Sequence, residues 1–143
     1  MTIDVDDRLR GVLAAVPEVA AAYLFGSHAH GRARPNSDVD VAVIFAADSD
    51  RGTRFRLRCV LSERLARASG TTRADVVDLE MASALLAHEV LRGGRLLLSR
   101  DDPRRTRVIA RQTMRYIDGK PMRRVLDEAT FRRLREGTFG RLS

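Results

Sequence analysis

The sequence predicts a single α/β (α+β) domain, in which one small mixed sheet is flanked by helices, followed by a helical C-terminal extension. Short apolar runs alternate with apolar residues at helical spacing, which is typical of this class. The composition, 44% hydrophobic and 31% charged over 143 residues, supports one folded core. The pattern changes after an Asp-Asp-Pro step, so we assign residues 1–100 to the domain and 101–143 to the extension.

Each element follows from its own pattern. Strands are predicted from short apolar runs, over 20–25, 39–45, 74–79 and 95–99. Helices are predicted from apolar residues at helical spacing, over 4–16, 51–68, 82–92, 103–117 and about 124–136. Gly70 ends the second helix, and a turn at 118–121, Asp-Gly-Lys-Pro, separates the last two.

Charge is concentrated in the extension. The formal net charge is +7; residues 101–143 carry 12 basic and 6 acidic side chains, whereas residues 1–100 carry 14 and 13. This excess predicts an acidic partner surface or a nucleic acid. Because the extension has few aromatic side chains for stacking bases, we favour a basic arm that binds a protein partner over direct contact with nucleic acid. The structural alternative is a solvated helical pair that packs on the domain.

Several classes of protein are disfavoured. The chain has one cysteine, Cys59, which excludes an intrachain disulfide and a zinc cluster built on thiolates. Apolar runs stay well short of the ~20 residues that span a bilayer. The N-terminus is acidic and lacks the order of a signal peptide. We therefore expect a cytoplasmic protein without a membrane partner.

Polar residues stand at the ends of two predicted strands in the stretch 23–45, YLFGSHAHGRARPNSDVDVAVIF. Asp38 and Asp40 are two residues apart, so their side chains share one face of a strand and repel each other unless a cation lies between them. Carboxylate oxygens suit Mg²⁺. Gly26 allows a tight turn after the first strand, and Ser27 offers a hydroxyl and a backbone N–H to a phosphate.

A third carboxylate would complete a two-metal site. Asp75 and Asp78 both lie on the strand predicted over 74–79. Being three residues apart, they face opposite sides, so only one can join the first two aspartates. We favour Asp75, at the start of the strand. The structural alternative is that all these aspartates cap strand ends and form turns.

Together, GSHAHGRARPNSDVDVAVIF and the later ADVVDL resemble the nucleotidyltransferase superfamily that includes DNA polymerase β. Within it, the chain is most similar to the minimal nucleotidyltransferases (MNT), many of which are antitoxins encoded beside a HEPN-domain toxin. The resemblance covers about residues 8–100. The chain departs from the family at His30, where an arginine is common, which leaves phosphate affinity there open.

The resemblance implies a DNA polymerase β-like fold and the transfer of AMP from ATP to a tyrosine of a cognate HEPN toxin. It assigns Gly26 and Ser27 to the triphosphate. It assigns two Mg²⁺ ions to the carboxylates Asp38, Asp40 and Asp75, which are also the catalytic residues. Ser37 either contacts the nucleotide or caps the entry to the strand.

Two other functions stay open. The protein could be an antitoxin that acts by binding alone, or an O-nucleotidyltransferase for a small molecule such as an aminoglycoside. The latter class generally has a sizeable second domain, which the extension is too short to provide. A homodimer and a hetero-oligomer with the toxin are both compatible with the sequence.

Overall fold

The structure, a computed structural model, describes residues 4–26, 29 and 38–135, with the backbone alone from residue 120 onward. The elements in chain order are α1 (Val5–Ala14), β1 (Val19–Phe25), β2 (Val39–Phe45), α2 (Arg51–Ser69), β3 (Ala74–Asp78), α3 (Ala84–Gly93), β4 (Arg95–Ser99) and α4 (Asp102–Arg135). Over the described residues, no helix has the length and apolar character needed to cross a membrane.

The four strands form one mixed sheet in the order β3-β2-β1-β4. β1 runs antiparallel to both of its neighbours, whereas β2 and β3 are parallel. The parallel pair needs a crossover connection, which α2 provides. This arrangement confirms the predicted α/β class with a small mixed sheet between helices.

Side chains of β2 alternate between two hydrophobic clusters, because successive residues of a strand face opposite sides. Val41, Val43 and Phe45 lie in the cluster beneath α1 and α2. Ala42 and Ile44 lie in the cluster formed with α3 and α4. The sheet is therefore covered on both faces along most of β2, which explains the nearly continuous apolar sequence of this strand.

Local signals fix the helix ends. The Asp50 side chain accepts a hydrogen bond from the Thr53 backbone N–H at 2.7 Å, and α2 begins there. Gly70 ends α2 in the left-handed region with φ +74°, as glycine does at many helix C-termini. At α3, the Ser83 hydroxyl accepts from the Leu86 N–H at 3.1 Å.

The extension differs from the prediction in one respect. A single helix, α4, continues from residue 102 to 135, so the turn expected at 118–121 is wrong. A proline inside a helix costs about 3 kcal/mol through a lost N–H bond and a clash with the carbonyl one turn earlier. At Pro121 the helix nevertheless continues, and extending a formed helix avoids the cost of nucleating a second one. Local turn preference was therefore a poor guide at this position.

The first turns of α4 pack on the domain. Arg104, Val108 and Gln112 are all buried, with exposed fractions of 7%, 2% and 2%. The Gln112 amide donates to the Leu79 carbonyl at 2.8 Å, and the Arg104 Nε donates to the Phe45 carbonyl at 3.0 Å. The division of the chain after residue 100 stays a prediction, although α4 and the domain share buried contacts here.

Candidate active site

Three strand ends meet at one end of the sheet. Phe25 pairs with Asp40 across the antiparallel ladder of β1 and β2, and Asp40 pairs with Asp75 across the parallel ladder of β2 and β3. Residues in register on neighbouring strands face the same side, about 4.8 Å apart between strands. The end of β1 and the starts of β2 and β3 therefore form one row with two carboxylates on the same face.

Gly26 lies against the Asp40 carboxylate. Its φ is +74°, a conformation that residues with a Cβ rarely adopt. A Cβ added there would overlap Oδ2 of Asp40 and lie 3.3 Å from its Cγ. Two features therefore favour glycine over any other residue at this turn, namely the backbone conformation and the close approach of the Asp40 carboxylate.

Asp38 and Asp40 are both partly buried at the start of β2. Asp38 precedes the first residue of the strand, and Val39 between them is fully buried in the cluster beneath α1 and α2. The alternation of an extended chain therefore places both carboxylates on the side away from that cluster.

Asp75 is accessible. Its side chain is 50% exposed, and its Oδ1 lies 3.5 Å from Nη2 of Arg73, which is itself 71% exposed. An ion pair this open to water holds its partners weakly. Asp75 can therefore exchange Arg73 for another cation or a substrate.

Asp78 lies on the opposite face of β3, in register with Val43. It is 6% exposed, its Oδ2 is 3.2 Å from Nη1 of Arg54, and its Oδ1 accepts from the Glu80 N–H at 3.1 Å. Its oxygens are committed to binding α2 and the turn after β3. The structure thus places Asp75 beside Asp40 and keeps Asp78 away from both.

The donor chemistry of this row fits Mg²⁺, because the available side chains are carboxylates on one face. In the part of the chain that the structure describes, however, no three His, Cys, Asp or Glu side chains converge closely enough to hold a metal ion. The assignment of metal to Asp38, Asp40 and Asp75 therefore stays a prediction. Ser27, Ser37 and His30 lie outside the described residues.

One ionic cluster was missed by the sequence analysis. Glu80 accepts from Nη1 and Nη2 of Arg104 at 3.0 and 2.8 Å, and from Nη1 of Arg54 at 2.8 Å. The hydrogen bonds from Arg104, then those from Arg54, lower the pKa of Glu80 from 4.5 to about 2 despite its burial. The available signal was a carboxylate directly after the apolar strand predicted over 74–79.

This cluster binds three elements together at the far end of β3, because Arg54 belongs to α2 and Arg104 to α4. It lies at the opposite end of the strand from Asp75. The cluster therefore stabilises the fold. Both arginines bind carboxylates, and the side chains of Arg54, Glu80 and Arg104 are only 8% to 14% exposed.

The site can be compared with known proteins. A family model described as polymerase beta, nucleotidyltransferase matches residues 7–103. The protein adenylyltransferase MntA of Shewanella oneidensis is 37% identical over 82 residues, which are 57% of this chain and 55% of MntA. The match thus spans about half the length of that curated relative.

Solved structures show the same fold. A chain in the crystal structure of a toxin–antitoxin with AMP-PNP superposes with a TM-score of 0.72 and 26% identity, covering 88% of this chain and 98% of that one. A chain of the MntA-HepT toxin–antitoxin crystal structure gives a TM-score of 0.67 and 24% identity, covering 89% and 97%. The second likeness concerns the fold alone.

Proposed function

Because the chain belongs to the polymerase beta nucleotidyltransferase family, we propose that it transfers AMP from ATP to a tyrosine hydroxyl of a cognate HEPN-family toxin and thereby neutralises it. The observation that carries the proposal is the row formed by Gly26, Asp40 and Asp75 at one end of the sheet. The adenylyltransferase activity in the name of MntA and the AMP-PNP in the structural relative support the nucleotide and the reaction.

In the proposed reaction, the tyrosine oxygen attacks the α-phosphorus of ATP, the bond to the β-phosphate oxygen breaks, and pyrophosphate leaves. Asp75, the most accessible carboxylate of the row, would accept the proton of the hydroxyl. Asp38 and Asp40, with Asp75, would hold two Mg²⁺ ions. Such ions, when bound, neutralise charge on the triphosphate and lower the pKa of the attacking hydroxyl.

Gly26 would contribute by its shape. Without a Cβ, the turn after β1 leaves the Asp40 carboxylate in place and lets the backbone approach a phosphate closely. Ser27 and Ser37 would donate to the triphosphate. Electrostatic positioning, rather than covalent participation of a side chain, is then the main source of rate enhancement.

A direct test compares the wild-type protein with the double variant Asp38→Asn, Asp40→Asn. Each is incubated with α-³²P-labelled ATP, Mg²⁺ and the purified toxin from the neighbouring gene. We expect the wild type to label the toxin and the double variant to leave it unlabelled, with unchanged circular dichroism. Labelling by the double variant would show that the carboxylates are wrongly assigned.

Two further arms separate the alternatives. A toxin in which the labelled tyrosine is replaced by phenylalanine should take no label, which tests the acceptor hydroxyl. If the double variant still neutralises the toxin as well as the wild type does, the protein acts by binding alone. If only an aminoglycoside in a parallel assay takes the label, the acceptor is a small molecule.

A further inference from the structure

A groove runs along the outer edge of β3, between this strand and helices α2 and α4. It consists of two adjoining cavities of about 840 and 420 Å³, which share Phe55 and Arg58 among their lining residues. The larger cavity lies beside Asp78 and Glu80, and the smaller one reaches Asp75. The groove therefore connects the far end of the sheet to the proposed catalytic carboxylate.

The surface of the groove is positively charged. Arg51, Arg58, Arg111 and Arg115 line it and are exposed. The carboxylates of the larger cavity belong to Asp78 and Glu80, which are 6% and 14% exposed and already bind arginines. The smaller cavity adds Asp75, which lies 3.5 Å from Arg73. The charge that an occupant meets is therefore mainly that of the arginines, which favours an acidic ligand.

The groove also offers apolar anchors. Phe55 and Met81 are 67% and 64% exposed, the largest fractions among the exposed large hydrophobic residues that the structure describes, and both line the larger cavity. Arginine, methionine and aromatic residues are the types enriched in protein interfaces. A nucleic-acid strand would be expected to stack its bases on several aromatic rings, and Phe55 is the one aromatic residue lining the cavity. The combination favours a polypeptide.

The edge of β3 is closed to an added strand. The Arg58 Nε donates to the Val76 carbonyl at 3.1 Å, and the Ser62 hydroxyl donates to the Ala74 carbonyl. These side chains from α2 take the outward carbonyls that a pairing strand would use. An occupant of the groove therefore binds through its side chains, to arginines and apolar anchors.

We propose that this groove receives the acceptor protein, through a segment in which acidic side chains flank an apolar one, and directs that protein toward Asp75. This inference rests on the proposed function for the identity of the acceptor. Between Asp75 and Asp78 the strand spans three residue steps, or roughly 10 Å at about 3.3 Å per residue, before the turn at 79–80. That length matches about three residues of an extended segment, enough for one apolar side chain with an acidic one on each side.

The test uses a charge-reversed double variant, Arg51→Glu with Arg115→Glu, which changes one exposed residue on α2 and one on α4 and leaves the ion pair of Arg111 with Glu80 intact. The matched control is Arg64→Glu with Arg107→Glu, which makes the same change in charge on the same helices. Arg64 lines a separate cavity against α1, and Arg107 is not among the residues that line the two cavities of the groove. Phe55→Ser, with Leu85→Ser on α3 as its control, tests the apolar anchor separately.

The first measurement is calorimetric titration with the purified toxin in the absence of ATP. We expect the Kd to rise at least tenfold for the groove double variant and for Phe55→Ser, and to stay within twofold of wild type for both controls. In the transfer assay, the same groove variants should raise KM for the toxin with little change in kcat, because the groove binds the acceptor before and during the reaction.

The outcomes separate the two proposals. If the wild type binds the toxin through the groove but transfers no AMP, the proposed function is wrong and the groove stands. If AMP is transferred and every variant binds the toxin equally well, the groove proposal is wrong. A groove variant that loses affinity for a labelled RNA oligonucleotide, yet binds the toxin normally, would overturn it in favour of nucleic acid.

Discussion

Replacing Gly26 with alanine tests whether the turn after β1 keeps the Asp40 carboxylate in position. Gly70, which ends α2, has the same φ of +74°, but a Cβ added there meets nothing within 4 Å. A Cβ at Gly26 would overlap Oδ2 of Asp40. The two glycines share the backbone strain and differ in the collision, so Gly70→Ala is the matched control.

The backbone contribution to the loss of stability is expected to be the same for both variants. A left-handed conformation costs a residue with a Cβ roughly 1–2 kcal/mol, and the lower entropy of the unfolded chain offsets about 0.4–1 kcal/mol of this. A net loss of about 1 kcal/mol lowers the Tm of a domain of this size by roughly 2–5 °C.

The expected effect on transfer differs. To restore ordinary contact with the new Cβ, the Asp40 carboxylate must move by roughly 1 Å, and a displacement of that size in an active site reduces rates about 100-fold. AMP transfer to the toxin, measured in a single turnover beside thermal unfolding, should therefore fall about 100-fold for Gly26→Ala. It should stay within about twofold of wild type for Gly70→Ala. Equal transfer by the two variants would refute the reasoning.

Three further predictions concern carboxylates of β3 and the turn after it. Asp75→Asn should abolish most AMP transfer while changing stability by less than about 0.5 kcal/mol, because its side chain is half exposed. Asp78→Asn should lose about 1–3 kcal/mol in urea unfolding through its buried contact with Arg54, yet keep transfer under folding conditions. For Glu80, a folded pKa of about 2 against 4.5 corresponds to about 3 kcal/mol, which is present above pH 4.5 and lost as the pH falls towards 2. Glu80→Gln should therefore be less stable than wild type by about that amount at pH 7, with the gap closing below pH 4; a gap independent of pH would contradict the ion-pair assignment.

Much of the fold could be predicted from local patterns. The strands expected over 39–45 and 95–99 coincide with β2 and β4, and the helix expected over 51–68 ends one residue later, before Gly70. The family match over residues 7–103 confirms the resemblance drawn from the strand-end motif. These features depend on side-chain periodicity and on a few capping residues, and both signals lie within short stretches of sequence.

The remaining features depend on contacts between distant parts of the chain. The alternation of side chains along β3 places Asp75 and Asp78 on opposite faces, but it does not determine which of them lies beside Asp40. That depends on the register of the parallel ladder, which joins residues far apart in sequence. The arginines that bind Glu80 come from α2 and α4, so no short stretch of sequence contains the cluster.

The two ends of β3 have complementary roles. A shift of the five-residue edge strand β3 by one residue would turn Asp75 to the other face and remove Ala74 and Val76 from the cluster beneath α1 and α2. At its far end, Asp78 and Glu80 are tied to Arg54, and Glu80 also to Arg104. A slipped register would break several of these ion pairs at once. Removing one partner of a buried ion pair strongly destabilises a folded protein, so the slipped arrangement is disfavoured. The ionic cluster therefore acts with the buried residues of β3 to hold the register that keeps Asp75 opposite Asp40, while the end of the strand proposed as catalytic stays open to solvent.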